Sequence, residues 1–223
     1  MTTLTTAPVA PLLAKLFADA EVSTARLREL RAGAPADAAR QSQNDYRTFY
    51  LGQAKDMHLP VSAETGRLLY MLARSAGARN IVEFGTSFGI STLFLAAALK
   101  DMGGGGMLIG TEFEPGKVAA ARGNLKAAGL DGFVDIRDGD ALQTLARDMP
   151  AVIDLVLLDG AKSLYSQVLT LLEPRLRTGA LIVADNADMC PEYVARVRAP
   201  DAGYMSVAIA DDVELSMKLP KSG

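Results

Sequence analysis

The chain has 223 residues, 49% of them hydrophobic, and this is enough to bury the core of one domain. Its net charge of −3 gives no electrostatic footprint for nucleic acid or for an anionic membrane. The single cysteine, Cys190, excludes an internal disulfide and is compatible with a reducing compartment.

Targeting and membrane signals are missing from the pattern. Residues 1–11 lack a charged region followed by an unbroken apolar run, so they do not resemble a signal peptide. Every apolar run is shorter than the ~20 residues that a transmembrane helix needs. We therefore expect a cytoplasmic protein that forms a single domain over residues 1–223.

The first 75 residues are predicted to be a helical N-terminal extension of that domain. Leu12, Leu13, Leu16 and Phe17 recur at helical spacing, and a second helical segment runs through residues 46–50. The run Gly-Ala-Pro at residues 33–35 is expected to break the helix between them.

After residue 80, short apolar runs alternate with longer helical ones. The predicted strands cover residues 81–84, 107–110, 133–136, 152–158 and 180–184, and the predicted helices cover 90–100, 116–128, 141–148 and 164–176. The last helix is expected to end at Thr178 and Gly179. Apolar strands separated by helices indicate an α/β fold with a parallel sheet that is covered on both faces. Residues 204–210 and 213–219, joined by two aspartates, predict a terminal hairpin.

A glycine turn follows the first predicted strand. Residues 83–91 read Glu-Phe-Gly-Thr-Ser-Phe-Gly-Ile-Ser, in which Gly85 and Gly89 allow a tight turn and a close approach to a ligand. Ser87 occupies the place of the middle glycine of a dinucleotide site, and no Gly-Lys-Ser/Thr run is present for a triphosphate. S-adenosylmethionine (SAM), which has no phosphate, suits an acidic residue before the turn better than a pyrophosphate does.

Acidic residues end the next two predicted strands. Glu112 lies where a carboxylate can accept hydrogen bonds from ribose hydroxyls, although Glu112 and Glu114 could also be solvated residues at a strand end. Asp140 follows the third strand and could meet an adenine amino group, and it could also serve as the N-cap of the next helix, since the two roles are compatible. The combined pattern favours a nucleoside ligand.

Two later strands end in oxygen ligands. Asp159 follows the strand at 152–158, and Asp185 and Asn186 follow the strand at 180–184. If these strands are neighbours, three side-chain oxygens converge on a site that suits a hard divalent cation such as Mg²⁺. The alternative for each residue alone is a turn residue or a helix cap.

Lys162 is the candidate catalytic base. A lone lysine is usually a surface residue, but close to a divalent cation its pKa would be lowered and a neutral amine would become available. His58 is interpreted as a structural or surface residue, and Cys190 as an apolar residue instead of a nucleophile.

These motifs together resemble the cation-dependent O-methyltransferases of the catechol and caffeoyl-CoA type. The resemblance covers roughly residues 50–190 and rests on residues 83–91, on Leu-Asp-Gly-Ala-Lys at 158–162 and on Ala-Asp-Asn at 184–186. It implies a seven-stranded Rossmann-like sheet with an antiparallel last strand, and a homodimer formed through the N-terminal helices. The implied reaction is an in-line transfer of the SAM methyl group to a hydroxyl oxygen.

The resemblance also assigns the site residues. Asp159 and Lys162 are the expected catalytic residues, and Asp159, Asp185 and Asn186 are the expected metal ligands. The expected cofactor-binding residues are Met57, Val61, Glu83, Gly85, Thr86, Ser87, Gly89, Ser91, Glu112, Phe113, Asp140, Ala141 and Asp159.

Two departures from the family pattern bear on the substrate. Plant members carry a second aspartate where this chain has Ala161, and residues 186–211 form a shorter stretch than is usual beside the substrate pocket. A small catechol-like or vicinal diol acceptor is the family expectation.

Three alternatives remain open. They are a methyltransferase that acts on a hydroxylated tRNA base, a nicotinamide-dependent oxidoreductase and a non-catalytic SAM-binding protein. The acidic chain argues against the first, and Ser87 against the second.

Overall fold

The computed structural model describes residues 1–32 and 46–220. Helix α1 (Val9–Ala32) confirms the N-terminal helix, and its apolar stripe buries Leu13 and Leu16. A single turn α2 (Tyr46–Thr48) continues as a π-helical segment (Phe49–Gln53), and α3 spans Ala63–Ser75. The prediction of a helical region through residue 75 is wrong for residues 54–62, which form a turn and irregular backbone. The predicted break at 33–35 lies outside the described residues.

The sheet has seven strands in the order β3-β2-β1-β4-β5-β7-β6. Its strands are β1 (Asn80–Phe84), β2 (Met107–Glu112), β3 (Val134–Asp138), β4 (Ile153–Leu158), β5 (Leu176–Ala184), β6 (Tyr204–Ala208) and β7 (Glu214–Lys218). β1 to β5 are parallel, whereas β7 runs antiparallel to β5 and β6 antiparallel to β7. The predicted Rossmann-like sheet and its antiparallel hairpin are confirmed.

Helices connect the parallel strands and cover both faces of the sheet. They are α4 (Ile90–Asp101), α5 (Pro115–Ala128), α6 (Ala141–Thr144) and α7 (Tyr165–Leu172), and α8 (Pro191–Arg198) lies between β5 and the hairpin. The buried apolar residues form two clusters, one on each face. None of the helices in residues 1–32 and 46–220 combines the length and the apolar character that a membrane crossing needs.

Two predicted helices end earlier in the structure than the sequence indicates. The helix expected over residues 164–176 ends at Leu172, and a 3₁₀ turn (Glu173–Arg175) leads directly into β5. Thr178 and Gly179 therefore lie inside the strand instead of closing the helix. The helix expected over residues 141–148 is a single turn that ends at Thr144.

The topology determines where the site lies. Because β1, β2, β4 and β5 are parallel neighbours, their carboxyl ends meet at one edge of the sheet. The order reverses at β1, which has β2 on one side and β4 on the other. The glycine turn after β1 and the acidic residues after β2, β4 and β5 consequently share this edge.

Candidate active site

The turn after β1 requires glycine at two positions. Gly85 has φ +98° and Gly89 has φ +86°, the left-handed region that side chains disfavour. A Cβ on Gly85 would lie 2.5 Å from the backbone oxygen of Asp159. The turn therefore packs directly against the segment that follows β4, and this close approach depends on the missing side chain.

A cleft opens beside this turn, with about 240 Å³ of empty space that is partly open to solvent. Residues from three segments line it: His58, Leu59, Pro60, Gly85, Thr86, Ser87, Phe88, Ile90, Ser91 and Asp159. Two of their buried polar atoms, Ser87 Oγ and His58 Nδ1, have no hydrogen-bond partner among the described residues. Buried polar atoms of folded proteins are nearly always paired, so these two are available to a ligand.

Glu83 lies beneath the cleft and is fully buried. Its carboxylate accepts hydrogen bonds from the hydroxyls of Thr86 (2.9 Å), Ser91 (2.7 Å) and Thr92 (2.6 Å). Burial raises the pKa of Glu83 to about 7, although the three hydroxyls lower it. These hydrogen bonds thus connect the glycine turn to the start of α4 through the Glu83 side chain.

Glu112 is buried at the end of β2, so the alternative of a solvated residue is wrong for it. One carboxylate oxygen accepts the backbone N–H of Ser87 (2.9 Å), and the other accepts those of Phe113 and Glu114 (2.9 and 3.0 Å). The oxygen that accepts from Ser87 keeps a second lone pair, so it can accept one further hydrogen bond from a ligand. Glu114 caps α5 by accepting the N–H of Lys117 at 2.7 Å.

Asp140 is the N-cap of α6, one of the two roles that the sequence left open. Its Oδ1 accepts the N–H of Leu142 at 2.9 Å, and its Oδ2 forms an ion pair with Arg47. An adenine amino group would have to share these oxygens. Asp140 is placed at the carboxyl edge of the sheet, but both of its oxygens already have protein partners.

The remaining expected cofactor residues lie outside the cleft lining. Met57 and Val61 are 2% and 1% exposed, and Val61 packs in the core. Ala141 is buried on the other face of the sheet, and Phe113 contacts the ring of Tyr50 with centroids 6.2 Å apart. His58, Leu59 and Pro60, between Met57 and Val61 in the chain, line the cleft instead.

Asp159 and Asp185 come together at the ends of neighbouring strands β4 and β5. Burial, followed by the charge of Asp159, raises the pKa of Asp185 to about 8. Burial also raises the pKa of Asp159, and the nearby ammonium of Lys162 opposes the rise. Two buried carboxyl groups in range of each other disfavour a double negative charge, which a proton or a cation would relieve.

Lys162 pairs with Asp159 and is nearly buried. Its Nζ donates to Asp159 Oδ1 at 3.1 Å and to the hydroxyl of Tyr165 at 2.8 Å. Burial lowers the pKa of Lys162, but Asp159, Tyr50 and Asp185 together raise it above its ordinary value. The surrounding acidic groups therefore raise the pKa of Lys162, whereas a divalent cation beside it would lower that pKa.

The donor set fits a hard cation in its chemistry. Asn186 follows Asp185 with φ +50°, and its amide nitrogen donates to Asp212 Oδ2 at 3.4 Å, which leaves its amide oxygen free of that bond. Two carboxylates and an amide oxygen are ligands that Mg²⁺ prefers. Among the described residues, no group of three His, Cys, Asp or Glu side chains is arranged to hold a metal ion. Any site here consequently needs Asn186 or non-protein ligands.

Sequence reasoning missed several residues at this edge. His58 stacks on Phe88 with ring centroids 3.7 Å apart, and the buried ammonium of Lys117 lies 5.6 Å from the Phe88 ring. Tyr165 contacts Lys162 directly. The spacing Lys-x-x-Tyr in the turn that leads into α7 is the one available signal, because residues three apart in a helical turn lie on one face. Cys190 is buried, and burial raises the pKa of its thiol to about 11, which agrees with an apolar role.

Comparison with known proteins bears on the whole edge. A family model described as a methyltransferase domain matches residues 82–187, which span the strand ends described above. The catechol O-methyltransferase of Niastella koreensis is 36% identical over 142 residues. The matched part of the chain is therefore similar to a methyltransferase domain and to O-methyltransferases of the catechol type.

The family likeness extends to solved structures. The O-methyltransferase TomG from Streptomyces achromogenes, crystallised in complex with SAM, superposes with a TM-score of 0.61 at 28% identity, over 78% of this chain and 89% of TomG. Cofactor-bound Rv0187 from MTB has a TM-score of 0.70 at 24% identity, over 96% of this chain and 93% of that protein, a likeness of fold.

The match to curated O-methyltransferases is partial in length. The alignment with the Niastella koreensis protein covers 62% of this chain and 63% of that protein. The chain thus spans about three-fifths of the curated relatives that it matches.

Proposed function

We propose that this chain transfers the methyl group of SAM to a hydroxyl oxygen of a small catechol-like or vicinal diol acceptor, assisted by a divalent cation. The observation that carries the proposal is the cleft at the carboxyl edge of β1, which Asp159 lines together with the glycine turn. In the reaction the methyl carbon leaves the sulfonium and bonds to the acceptor oxygen. The acceptor loses a proton, and S-adenosylhomocysteine is the second product.

The cleft offers groups that suit the different parts of SAM. The hydroxyl of Ser87 lines the cleft and has no partner among the described residues, and Ser91, whose hydroxyl donates to Glu83, lines the same cleft. One oxygen of Glu112 keeps a free lone pair for a ribose hydroxyl. The carboxylate of Asp159 supplies negative charge that attracts a sulfonium cation. The solved structure of the relative TomG with SAM supports the same ligand here.

Asp159, Asp185 and Asn186 would hold the cation. When bound, a divalent cation supplies positive charge that lowers the pKa of an acceptor hydroxyl and orients adjacent acceptor oxygens. The raised pKa of Asp185 supports this assignment, because the pair of carboxyl groups gains from added positive charge. An acceptor with two adjacent hydroxyls is consistent with the catechol O-methyltransferase name of the relative.

Lys162 is the proposed proton acceptor for the acceptor hydroxyl. In the described structure it is the donor of an ion pair, so it must release its own proton before it can take another. The ion pair with Asp159 opposes that release, and a loss of negative charge at Asp159 would weaken the ion pair.

We also propose, from the family resemblance, a homodimer formed through the N-terminal helices, which sedimentation equilibrium would test.

A calorimetric titration tests the proposal. The protein saturated with SAM is titrated with a catechol, once with Mg²⁺ and once with a chelator. We expect measurable binding only with Mg²⁺, together with formation of S-adenosylhomocysteine and a methylated catechol. Binding that is indifferent to the chelator would contradict the role of the cation, and the absence of product with a panel of diols would contradict the acceptor class.

A further inference from the structure

The hydroxyl of Tyr165 lies between Lys162 and the end of β5. It is fully buried, and it is 2.8 Å from Lys162 Nζ and 2.8 Å from the backbone oxygen of Asp185. A carbonyl oxygen accepts only, and a phenol has a single proton, so that proton points to Asp185. The phenol oxygen must therefore accept from the Lys162 ammonium, and the direction of both hydrogen bonds is determined.

The ring of Tyr165 is held by its aromatic neighbours. It makes edge contacts with Phe84 at the end of β1 and with Tyr193 of α8, with ring centroids 6.2 and 5.8 Å apart. A Cβ on Gly160 would lie 2.5 Å from the ring of Phe84, so the packing around this pair leaves no spare room. The position of the phenol oxygen is thus set by the packing of its own ring and does not depend on the conformation of Lys162.

Lys162 needs a second, fixed hydrogen-bond acceptor because its side chain is long and flexible. A lysine has four rotatable bonds, and a single acceptor does not select one conformation. Asp159 Oδ1 at 3.1 Å and the Tyr165 oxygen at 2.8 Å fix the ammonium from two sides. Without the phenol oxygen, the ammonium would lose one of these two hydrogen bonds.

We propose that Tyr165 is a positioning residue, whose hydroxyl fixes the Lys162 ammonium between the ends of β4 and β5. The consequence for catalysis rests on the function proposed above for Lys162. The positioning itself is a property of the folded chain and can be observed without any reaction.

The first test is spectroscopic and uses Tyr165→Phe, which keeps the ring and removes the hydroxyl. The ¹H–¹⁵N signal of the Lys162 ammonium, assigned with Lys162→Met, should be present in the wild type. It should shift or broaden beyond detection in Tyr165→Phe, because a loosely held ammonium exchanges its protons faster. An unchanged signal in that variant would overturn the proposal.

Tyr204→Phe is the matched control. The hydroxyl of Tyr204 donates to Glu173 at 2.7 Å, and Tyr204 pairs with Lys218 at the opposite edge of the sheet. This variant also loses one tyrosine hydrogen bond, but it should leave the Lys162 signal unchanged. If it altered the signal as much as Tyr165→Phe does, the effect would be a general loss of packing and the proposal would fail.

The second test is kinetic and compares two backgrounds. We expect Tyr165→Phe to lower turnover about ten- to a hundredfold with unchanged SAM affinity, since misplaced catalytic groups have effects of this size. In the Lys162→Met background the same change should have no further effect. An equal loss in both backgrounds would overturn the proposal. A wild type that binds no SAM would instead refute the proposed function, and the spectroscopic test would still decide the positioning.

Discussion

Replacing Glu83 with glutamine should remove a pH dependence from the stability of the folded chain. Glu83 is fully buried among three hydroxyls, and burial raises its pKa from the ordinary 4.5 to about 7. A carboxyl group whose pKa is raised in the folded state stabilises the fold when protonated. That contribution is complete below pH 4.5 and is lost as the pH rises through 7.

The expected magnitude follows from the two pKa values. A rise from 4.5 to about 7 corresponds to about 3 kcal/mol of the free energy of unfolding. No discount for solvent screening is needed because the side chain is fully buried. Between pH 5 and 7.5 the ionisation of Glu83 should lower the stability of the wild type by about 2 kcal/mol. Glutamine cannot ionise, and the rotatable hydroxyls of Ser91 and Thr92 can reorient toward its amide.

Urea denaturation between pH 5 and 7.5 measures this effect. The free energy of unfolding of Glu83→Gln, minus that of the wild type, should increase by about 2 kcal/mol across this range. Glu214→Gln is the control, because hydrogen bonding from Arg198 holds the pKa of Glu214 below its usual value. Glu214 is therefore ionised in both states above pH 5.5, and its variant should differ from the wild type by a nearly constant amount. A constant difference for Glu83→Gln as well would refute the reasoning.

Three further substitutions test other parts of the site. Gly85→Ala should lower the free energy of unfolding by about 3 kcal/mol, because the new Cβ would lie 2.5 Å from the Asp159 backbone, and the control Gly77→Ala should lower it by about 1 kcal/mol, because its Cβ meets open space. Equal losses of the two variants in urea denaturation would be inconsistent with the close approach at Gly85. Asp185→Asn should raise the melting temperature of the cation-free protein at pH 8 by about 3 °C, because burial and Asp159 raise the pKa of the Asp185 carboxyl group to about 8. The variant should also remove the effect of Mg²⁺ on catechol binding, and a lower melting temperature would contradict the account of the carboxyl pair. Lys162→Ala should reduce turnover about a hundredfold and leave the calorimetric SAM affinity unchanged, whereas equal loss of both would indicate a structural role.

The alternation of apolar runs was sufficient to predict the sheet, and the exception is the start of β5. The sequence predicts a helix over residues 164–176 that is closed by Thr178 and Gly179. In the structure Pro174 lies in a 3₁₀ turn, and the strand pairing shifts register between Ile153 and Leu155. Gly179 adopts φ +78° inside β5. Irregular strands of this kind have no periodic signal, because the extra residues face neither side regularly.

The acidic residues of the site could be predicted because parallel strands bring their carboxyl ends to one edge. Asp159 and Asp185 follow adjacent strands, and their approach is a consequence of the strand order. His58 could not be placed in the same way, because it lies in the irregular segment between α2 and α3. The pKa of Lys162 was also beyond sequence reasoning, since its direction depends on which carboxylate the folded chain puts beside it.

Calorimetric titration of the wild-type chain with SAM tests the central claim, a SAM site at the glycine turn after β1. We predict binding at one site per chain for SAM, and no heat for NAD under the same conditions, because Ser87 replaces the middle glycine of a dinucleotide site. No heat with SAM, or heat with NAD alone, would contradict the account.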